Sequence, residues 1–343
     1  MPVTRLALVG FGNVGQALVR LLLRKRTLLA EQYGFEFSIT GIATGRHGMA
    51  IDPAGIDPER ALAAAAAGGS LSELSAVPAP ENVLAFIRAC PADVLFENSP
   101  VNHHTGQPAL DHLRAGLEAG MHAITANKGP VVHGFKELNA IAASRGKRFM
   151  YESTVMDGAP IFSLFRGPLP AADLRGFHGI LNSCTNLLLE MMEKGHSLEE
   201  AVEYGRSIGI TETDPSADID GWDAAIKVAA LSTVVMGVPI TPDDIDRHGI
   251  REITPQQMDE ARAAGERWKL VCRCRRDGRG VSARVAPERV KAGSPLFSIA
   301  GTSSYVQFEM DVLPGLGIVE SDPGPETTAY GLLADCLNAL RGM

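Results

Sequence analysis

A short apolar strand that runs straight into a glycine-rich turn constrains the fold of this chain more than any other feature. Residues 5–9 read RLALV, the hexapeptide GFGNVG follows at 10–15, and apolar residues then recur at helical spacing to about Ala30. This order predicts a dinucleotide site, because the glycines permit a tight turn and close approach of a pyrophosphate, while the helix N-terminus faces the anion. The residues expected to hold the dinucleotide are Gly10, Gly12, Asn13, Val14 and Gly15.

The loop after the second predicted strand indicates which dinucleotide is preferred. That strand covers about residues 35–43, and Arg46 and His47 follow it closely. Folds that prefer NAD usually place a carboxylate here for the ribose 2′-hydroxyl, whereas a cation suits the 2′-phosphate of NADP. Arg46 therefore favours NADP as cofactor, with NAD as the alternative. A solvated loop arginine is the competing interpretation of Arg46.

Alternating strands and helices continue this pattern to about residue 150. Apolar strands at 93–97, 122–125 and 147–152 are separated by helical stretches such as 108–119. Such alternation predicts an α/β fold with a Rossmann-type doubly wound parallel sheet. Ligands bind beyond the carboxyl ends of the strands in these sheets. The polar residues at those ends are Asn98 and Ser99, which we expect to bind the cofactor, and Asn127 and Lys128.

The sequence changes in texture after residue 150. We expect a first, NAD(P)-binding domain over 1–150 and a second, α+β domain over 151–325. Strands are predicted at 174–181 and 266–275, and helices at 183–194, 197–207, 223–236, 255–264 and, to end the chain, 326–341. Because helices no longer alternate with strands, the second sheet keeps an open face, which predicts at least a homodimer.

An acidic loop followed by an apolar helix, residues 209–236, is the second distinctive stretch. Lys227 is the one charge in the thirteen residues from Ala224 to Met236, and Asp223 is its only polar neighbour at helical spacing. An ammonium in apolar surroundings is costly unless it is paired or has a task. Two interpretations stay open: a surface lysine in a salt bridge with Asp223, and a functional lysine.

Charge and composition argue against several classes of function. The net charge of −8 disfavours nucleic acid or an anionic membrane as partner. No stretch approaches about 18 uninterrupted apolar residues, and the N-terminus carries no cleavage signal, so a cytoplasmic protein is expected. The five cysteines are odd in number and scattered, which indicates reduced thiols. Cys272 and Cys274 have no further ligands nearby for a metal ion.

Taken together, these motifs resemble the homoserine dehydrogenase family. The resemblance runs nearly from end to end of the chain. It comprises GFGNVG at 10–15, TANKGP at 125–130, EST at 152–154, GILNSCTN at 179–186 and GITETDPSADIDGWDAAIK at 209–227. TANK and the acidic run before Lys227 are much more specific than the glycine turn.

The resemblance implies a function and an architecture. It implies the interconversion of L-homoserine, a small amino-acid substrate, and L-aspartate 4-semialdehyde, on the route to threonine and methionine. It also implies an NAD(P) domain, a catalytic α+β domain whose sheet makes the dimer, and a C-terminal helix that returns to the first domain. Family members with a regulatory ACT domain are longer, so feedback control through such a domain is not expected here.

The resemblance also assigns roles to individual residues. Lys128 and Lys227 match two lysines placed at the reacting oxygen, and Asp223 matches the carboxylate beside Lys227. A competing interpretation of Lys128 is a helix-entry lysine that contacts the cofactor. Glu212 and Asp218 match acids near the amino group of the substrate. Such roles make chemical sense, because a lysine whose pKa is lowered can take a hydroxyl proton and carboxylates suit an ammonium. A monovalent-cation site, for an ion such as sodium, is implied at Glu152, Val155, Asp157 and Ala159.

Three departures from the family pattern bear on the substrate. Asp157 interrupts the usual glycine-rich segment after EST, and 317–327 reads GIVESDPGPET in place of a glycine-rich run. The Gly-Thr expected to contact the substrate is replaced by Ser183 and Cys184. A thiol is a weaker hydrogen-bond partner than a hydroxyl. A related oxidoreductase for another amino-acid alcohol or semialdehyde is therefore an alternative, and a non-catalytic NAD(P)-binding protein is a third.

Overall fold

The computed structural model describes residues 3–78, 80–211, 214–278 and 280–342. The chain divides into two compact units, one formed by Met1–Pro160 with Gly324–Met343 and the other by Ile161–Pro323. Within the described residues, no helix has both the length and the apolar character needed to cross a membrane.

A six-stranded sheet organises the first unit. Its strands are β1 (Thr4–Val9), β2 (Phe37–Ala43), β3 (Met49–Ile51), β4 (Val94–Glu97), β5 (His122–Thr125) and β6 (Phe149–Met150), in the order β3-β2-β1-β4-β5-β6. All neighbours are parallel except β3, which pairs antiparallel with β2 at the edge. The predicted parallel sheet is therefore present, with a short edge strand, β3, that was not predicted from the sequence. The strand predicted at 147–152 is shorter than expected.

Helices cover both faces of this sheet. They are α1 (Asn13–Arg24), α2 (Arg26–Tyr33), α3 (Pro58–Ala66), α4 (Val83–Ala89), α5 (Ala109–Glu118), α6 (Lys128–His133), α7 (Phe135–Ser144) and the C-terminal helix (Pro325–Leu340). On one face, Leu8 of β1 packs with Leu18 of α1 and Leu333 of the C-terminal helix. On the other, Leu95 of β4 packs with Phe86 of α4. Apolar side chains on both sides of each central strand explain why these strands read as continuous apolar runs.

The second unit is built on a mostly antiparallel sheet. Its strands are β7 (Leu174–Ile180), β8 (Asp246–Arg247), β9 (Glu266–Asp277), β10 (Gly280–Lys291), β11 (Ser304–Met310) and β12 (Leu316–Glu320), in the order β12-β11-β7-β9-β10-β8. Only β7 and β9 were predicted. The strand β10 was missed because it contains Pro287 and several charged residues, which mask the alternation on which strand prediction depends.

The helices of the second unit include the one that bears Lys227. They are α8 (Phe162–Arg166), α9 (Ser183–Glu193), α10 (Leu198–Ser207), α11 (Ser216–Ile219), α12 (Trp222–Leu231) and α13 (Pro255–Ala263). The helix predicted to reach Met236 is α-helical only to Leu231 and ends in a wider turn. Only Leu181 and Asn182 separate β7 from α9, so these two residues lie at the end of a central strand.

Candidate active site

The glycine turn after β1 shapes one part of the candidate site. Gly10 has a φ of +93°, and a Cβ atom there would lie 2.4 Å from the Asn98 carbonyl oxygen. A Cβ on Gly15 would lie 2.5 Å from the Gly10 carbonyl oxygen. Gly12, by contrast, has no described atom within 4 Å of its would-be Cβ. The first and third glycines are therefore required by the fold, whereas the middle one leaves open space through which a phosphate can approach.

The first turn of α1 borders the same turn. Gly12 is the N-cap residue and has no side chain to accept hydrogen bonds from the N–H groups of Asn13 and the residues after it. Val14 and Gly15 belong to the same first turn. A helix N-terminus of this kind presents N–H donors and a partial positive charge to an anion.

A cavity of about 460 Å³ opens at the carboxyl ends of β1, β2 and β4. Most of its wall is apolar, and its polar side chains are Thr44, Asn82, Ser99 and His112. The lining residues are Val9, Gly10, Ala43, Thr44, Gly45, Asn82, Val83, Leu84, Ser99, Pro100, Pro108 and His112. This is the edge of a doubly wound sheet at which dinucleotides bind.

Asn98 and Ser99 lie at the end of β4, beside the glycine turn. The nitrogen and the oxygen of the Asn98 side-chain amide are buried, and neither has a hydrogen-bond partner among the described residues. Buried amides are rarely left without partners, so this amide fits a group that supplies them when it binds. Ser99 is held by Glu97, whose carboxylate accepts a hydrogen bond from the Ser99 amide nitrogen at 3.2 Å. The residues present thus fit an NAD(P) molecule.

Arg46 and His47 lie in the turn between β2 and β3. Arg46 is exposed, and no hydrogen bond or ion pair to another described residue holds its guanidinium. His47 is more constrained, because its Nδ1 lies 3.0 Å from the Gly69 carbonyl oxygen and its backbone N–H donates to Thr44 Oγ1 at 2.7 Å. Of the two, Arg46 has the freedom to reach a ligand phosphate.

Lys128 is the first residue of α6, directly after β5. Asn127 caps this helix, since its Oδ1 accepts a hydrogen bond from the Gly129 N–H at 3.0 Å. The Asn127 Nδ2 donates to the carbonyl oxygens of Ser99 at 3.0 Å and Pro100 at 3.3 Å. Asn127 therefore ties the turn that carries Lys128 to the loop after β4.

The segment predicted to bind a monovalent cation packs against the C-terminal helix. Glu152 and Val155 are buried, and the backbone N–H of Glu152 donates to Asp335 Oδ2 at 2.7 Å. Asp157 has a left-handed φ of 44° and accepts a hydrogen bond from Thr327 Oγ1 at 3.1 Å. The backbone N–H of Ala159 donates to the Met156 carbonyl oxygen at 2.9 Å and closes this turn. No cluster of three or more His, Cys, Asp or Glu side chains suited to a metal occurs in the described part of the chain. A site made of carbonyl oxygens needs no such side chains, so the cation site stays a prediction.

In the second unit, Lys227 and Asp223 form an ion pair that is mostly buried. The distance from Lys227 Nζ to Asp223 Oδ2 is 2.8 Å, and the two side chains are 15% and 17% exposed. The Lys227 ammonium also donates to the Leu181 carbonyl oxygen at 2.7 Å. A pair with the same spacing, Lys194–Glu190, has a lysine that is 63% exposed. The interpretation of Lys227 as an ordinary surface lysine is therefore disfavoured.

Asn182, a site residue that was not predicted from the sequence, links Asp223 to Asp218. Its Nδ2 donates to Asp218 Oδ1 at 2.6 Å and to Asp223 Oδ2 at 2.9 Å. Its Oδ1 accepts from the Thr185 N–H at 2.7 Å and so caps α9. In the sequence, an asparagine before a helix predicts a cap and nothing more. The second role depends on residues 36 and 41 positions away along the chain.

Asn182, Asp218, Asp223 and Lys227 form an acid–lysine cluster. Within it, the pKa of Asp218 is shifted. Burial, and then the negative charge of Asp223, raises the pKa of Asp218. The hydrogen bond from Asn182 and the charge of Lys227 act in the opposite direction. A cationic partner, such as the ammonium of an amino acid, would stabilise the ionised form of a carboxylate whose pKa is raised in this way. Glu212, the other acid predicted to bind the substrate, lies outside the described residues.

Ser183 and Cys184 begin α9, next to Asn182. Ser183 is half-buried, and Cys184 is buried with its Sγ 3.4 Å from Thr211 Oγ1. Burial, and then the charge of Asp218, raises the pKa of Cys184 to about 12. A thiol with so high a pKa is a poor nucleophile, and the buried Cys184 side chain packs against Thr211 beside Asp218.

Comparison with protein families assigns both units. The model "Homoserine dehydrogenase" matches residues 160–337, and the model "Homoserine dehydrogenase, NAD binding domain" matches residues 10–152. An NAD(+)-dependent homoserine dehydrogenase of Pseudomonas canavaninivorans is 32% identical over 97% of this chain and 95% of the relative. A homoserine dehydrogenase of Methanocaldococcus jannaschii is 33% identical over 96% of this chain and 97% of the relative.

Solved structures give the same result. A putative homoserine dehydrogenase from Archaeoglobus fulgidus superposes with a TM-score of 0.86 at 28% identity, covering 98% of this chain and 99% of that one. A hyperthermophilic archaeal homoserine dehydrogenase in complex with NADPH superposes with a TM-score of 0.83 at 25% identity, covering 100% of this chain and 99% of that one.

Proposed function

The chain belongs to the homoserine dehydrogenase family, whose members are NAD(P)-dependent oxidoreductases, and from that premise we propose that it interconverts L-homoserine and L-aspartate 4-semialdehyde. The observation that carries the proposal is the partly buried cluster in which Lys227, Asp223 and Asp218 meet around the buried amide of Asn182. An alcohol of an amino acid needs both a group that exchanges a proton with its oxygen and acids that hold its ammonium. This cluster offers both.

Lys227 is proposed to exchange the proton of the reacting oxygen. The nicotinamide, when bound, supplies the hydride acceptor or donor. In the reductive direction the Lys227 ammonium donates a proton to the oxygen of the aldehyde, and in the oxidative direction the amine takes the proton of the hydroxyl. Asp223 orients the amine at 2.8 Å. The Leu181 carbonyl oxygen accepts a second hydrogen bond from Nζ at 2.7 Å, and we propose that the amine meets the substrate oxygen from this position.

Asp218 is proposed to hold the ammonium of the substrate, together with Glu212. Burial beside Asp223 disfavours the charge of Asp218, and a bound cation relieves that cost. An ammonium with two carboxylate partners is matched in both charge and hydrogen bonds. Ser183 and Cys184, at the start of the same helix, are proposed to border this subsite.

Two further assignments come from the family resemblance. Lys128 is proposed as a second catalytic lysine and as a contact for the cofactor, and its place at the start of α6 is held by the Asn127 cap. The backbone around Glu152, Val155, Asp157 and Ala159 is proposed to bind a monovalent cation such as sodium. Loss of activity when sodium is replaced by a bulky organic cation would support the cation site, and unchanged activity would remove it.

NADP is proposed as the preferred cofactor, because the exposed Arg46 is suited to a 2′-phosphate. Among the relatives both cofactors are named: one is described as NAD(+)-dependent and one structure contains NADPH. Arg46→Ala should weaken NADP binding by about 1.5–3 kcal/mol, the range for hydrogen bonds to charged groups, and leave NAD binding unchanged. Equal weakening of both cofactors would show that Arg46 does not recognise the phosphate.

A homodimer is proposed from one face of the second sheet. Charged and polar side chains lie across its central strands in register, with His178 of β7 beside Arg273 of β9 and Gln307 of β11. Arg273 and Glu288 form an ion pair on this surface, with Nη2 2.7 Å from Oε2. A second copy of the same face could pair these charges by two-fold symmetry. Light scattering that gives the monomer mass of 36.4 kDa at micromolar concentration would contradict this proposal.

A spectrophotometric assay at about 340 nm tests the main proposal. Purified protein is mixed with L-homoserine and NADP, and then with NAD, and reduction of the nicotinamide is followed. We expect turnover on the usual enzymatic scale, on the order of 1–10³ per second. Binding of the dinucleotide without turnover of homoserine would favour the alternative oxidoreductase, which the replacement of Gly-Thr by Ser183 and Cys184 motivates. Failure with a panel of amino-acid alcohols and semialdehydes would favour a non-catalytic dinucleotide-binding protein.

A further inference from the structure

A fully buried carboxylate lies beneath the dinucleotide cavity, and the proposed chemistry does not use it. Glu97 ends β4 with none of its surface exposed. Its Oε1 accepts hydrogen bonds from both the amide and the hydroxyl of Ser99 and lies 3.3 Å from His112 Nδ1. The Thr125 hydroxyl donates to the Glu97 backbone carbonyl oxygen at 2.8 Å, and its Oγ1 lies 3.4 Å from Oε2. Burying a carboxylate is costly even when it accepts hydrogen bonds, so the arrangement around Glu97 calls for a reason.

His112 connects this carboxylate to the cavity. It lies on α5, its side chain is almost entirely buried, and it is one of the residues that line the cavity. An ionised carboxylate can only accept hydrogen bonds, so the contact with Glu97 requires the hydrogen on His112 Nδ1. In the neutral ring Nε2 is then the remaining polar atom, and it is an acceptor. Glu97 thereby fixes which tautomer His112 presents.

The remaining lining of the cavity indicates which part of a dinucleotide this acceptor meets. Val9, Ala43, Val83, Leu84, Pro100 and Pro108 provide apolar walls. A cavity of about 460 Å³ with such walls suits a flat aromatic base better than a phosphate or a sugar. Adenine carries an exocyclic amine, which is a donor, at its edge. A neutral imidazole held as an acceptor is complementary to it.

We propose that Glu97 holds His112 in the tautomer whose Nε2 accepts a hydrogen bond from the exocyclic amine of the adenine ring of the bound dinucleotide. This inference rests on the proposed function only in requiring that the chain binds NAD(P). It makes His112 a residue that recognises the base and Glu97 the residue that positions it. Arg46 would then read the phosphate of the same dinucleotide, and His112 its base.

A base analogue tests the proposal directly. Nicotinamide hypoxanthine dinucleotide phosphate replaces the amine of adenine by a carbonyl oxygen, which cannot donate to Nε2 and repels it. Binding of this analogue and of NADP to the protein without substrate is measured by calorimetry. We expect the parent to bind the adenine form about tenfold more tightly, the scale of one hydrogen bond lost with its acceptor left unpaired. Affinities within about twofold of each other in the parent overturn the inference.

Variants separate recognition from a structural role. His112→Phe removes the acceptor, so the two dinucleotides should bind with equal affinity. His112→Gln keeps a polar group that both donates and accepts and should likewise tolerate both bases; it replaces the first variant if that one fails to fold. Glu97→Gln can donate to Nδ1 as well as accept from it, so the tautomer is no longer fixed and the preference for adenine should shrink. Retention of the full tenfold preference in the two His112 variants would overturn the assignment.

His47→Gln is the matched control. Its imidazole also has Nδ1 held by an oxygen, that of Gly69 at 3.0 Å, but His47 does not line the cavity. It should change the affinities for both dinucleotides by the same factor, leaving their ratio at the parental value. If the parent binds NADP and oxidises homoserine yet shows no preference between the bases, this inference fails and the proposed function stands. If NADP does not bind at all, the proposed function fails first.

Discussion

The glycine turn of the first unit holds a space open with backbone atoms, whereas the acid–lysine cluster of the second unit fills its space with charged side chains. Gly12 faces open space, and the N–H groups of α1 need no side chain to face an anion. Lys227, Asp223 and Asp218 instead depend on one another and on Asn182. A site made of backbone is sensitive to added atoms, and a site made of coupled side chains is sensitive to removed ones.

Removing Lys227 should give the largest effect. Lys227→Ala eliminates the amine proposed to exchange a proton with the substrate oxygen, so kcat should fall by about 10²–10⁴, the usual range for general acid–base catalysis. The dissociation constant for NADP, measured by calorimetry, should stay within about twofold of the parent, because the first unit is untouched. A kcat within about threefold of the parent would return Lys227 to the status of an ion-pair residue.

Lys194→Ala is the matched control for this prediction. It breaks an ion pair of the same i,i+4 spacing, in which Nζ lies 2.7 Å from Glu190 Oε1, but its lysine is largely exposed. Exposed pairs contribute little, about 0–1 kcal/mol, so both activity and unfolding temperature should change only slightly. Equal loss of activity in the two variants would mean that the effect is structural.

The Asn182→Ala variant tests how strongly the acid–lysine cluster depends on Asn182, and the pH dependence of activity reports the result. The variant leaves two carboxylates without their shared donor, so kcat/KM for homoserine should fall by about 10–100-fold, equivalent to about 1.4–3 kcal/mol. Asp218 must be ionised to hold the ammonium, and its pKa is already raised by burial and by Asp223. Loss of the Asn182 bond raises that pKa further, so activity should be lost at a higher pH on the acid side. The other groups that face Asp218, the Lys227 ammonium and the Cys184 thiol, are the same in the variant and in the parent.

The control for that shift is Asn186→Ala, one turn further along α9. Asn186 is also a buried amide with polar partners, since it donates to the Gly301 carbonyl oxygen at 2.8 Å and accepts from Lys269 Nζ at 2.7 Å. Its loss should lower the unfolding temperature without moving the acid side of the pH profile. An acid shift of the same size in both variants would show that the helix, and not the bond to Asp218, is responsible.

Adding one methyl group to the glycine turn tests the site that is made of backbone atoms. Gly12→Ala meets no described atom within 4 Å and has a φ of −78°, which any residue adopts, so the unfolding temperature should not change. The methyl group occupies the path of the pyrophosphate, so NADP binding should weaken by about tenfold, the lower end of the cost of overpacking. Gly15→Ala should instead destabilise the fold, because its Cβ would lie 2.5 Å from the Gly10 carbonyl oxygen.

The same contrast explains which parts of the molecule could be predicted from the sequence. The glycine turn is local, so strand, glycines and helix stand next to one another in the sequence and define the turn without a structure. Asn182 acts on residues far along the chain, and Glu97 acts through His112 on α5, so neither leaves a local pattern. The strand β10 was missed for another reason: charged residues such as Arg284 and Glu288 stand among its apolar ones, so its alternation does not follow hydrophobicity. A site made of neighbouring residues can be predicted from the sequence, whereas a site that the fold assembles from distant residues cannot.

The smallest expected effect concerns the motif in which this chain departs most from the family pattern. Cys184 is buried, neutral, and 3.4 Å from Thr211 Oγ1, so a threonine in its place can keep that contact through its hydroxyl. Ser183 is half-buried at the first turn of α9, where glycine costs the helix up to about 1 kcal/mol. The double change Ser183→Gly with Cys184→Thr should therefore leave kcat/KM for homoserine within a few-fold of the parent. Single variants divide the effect between packing at Cys184 and helix propensity at Ser183.

A parent inactive on homoserine, with activity gained only in the double variant, would mean that the pocket had been retuned. The acid–lysine cluster would then serve another amino-acid alcohol or semialdehyde, with the same chemistry and a different fit.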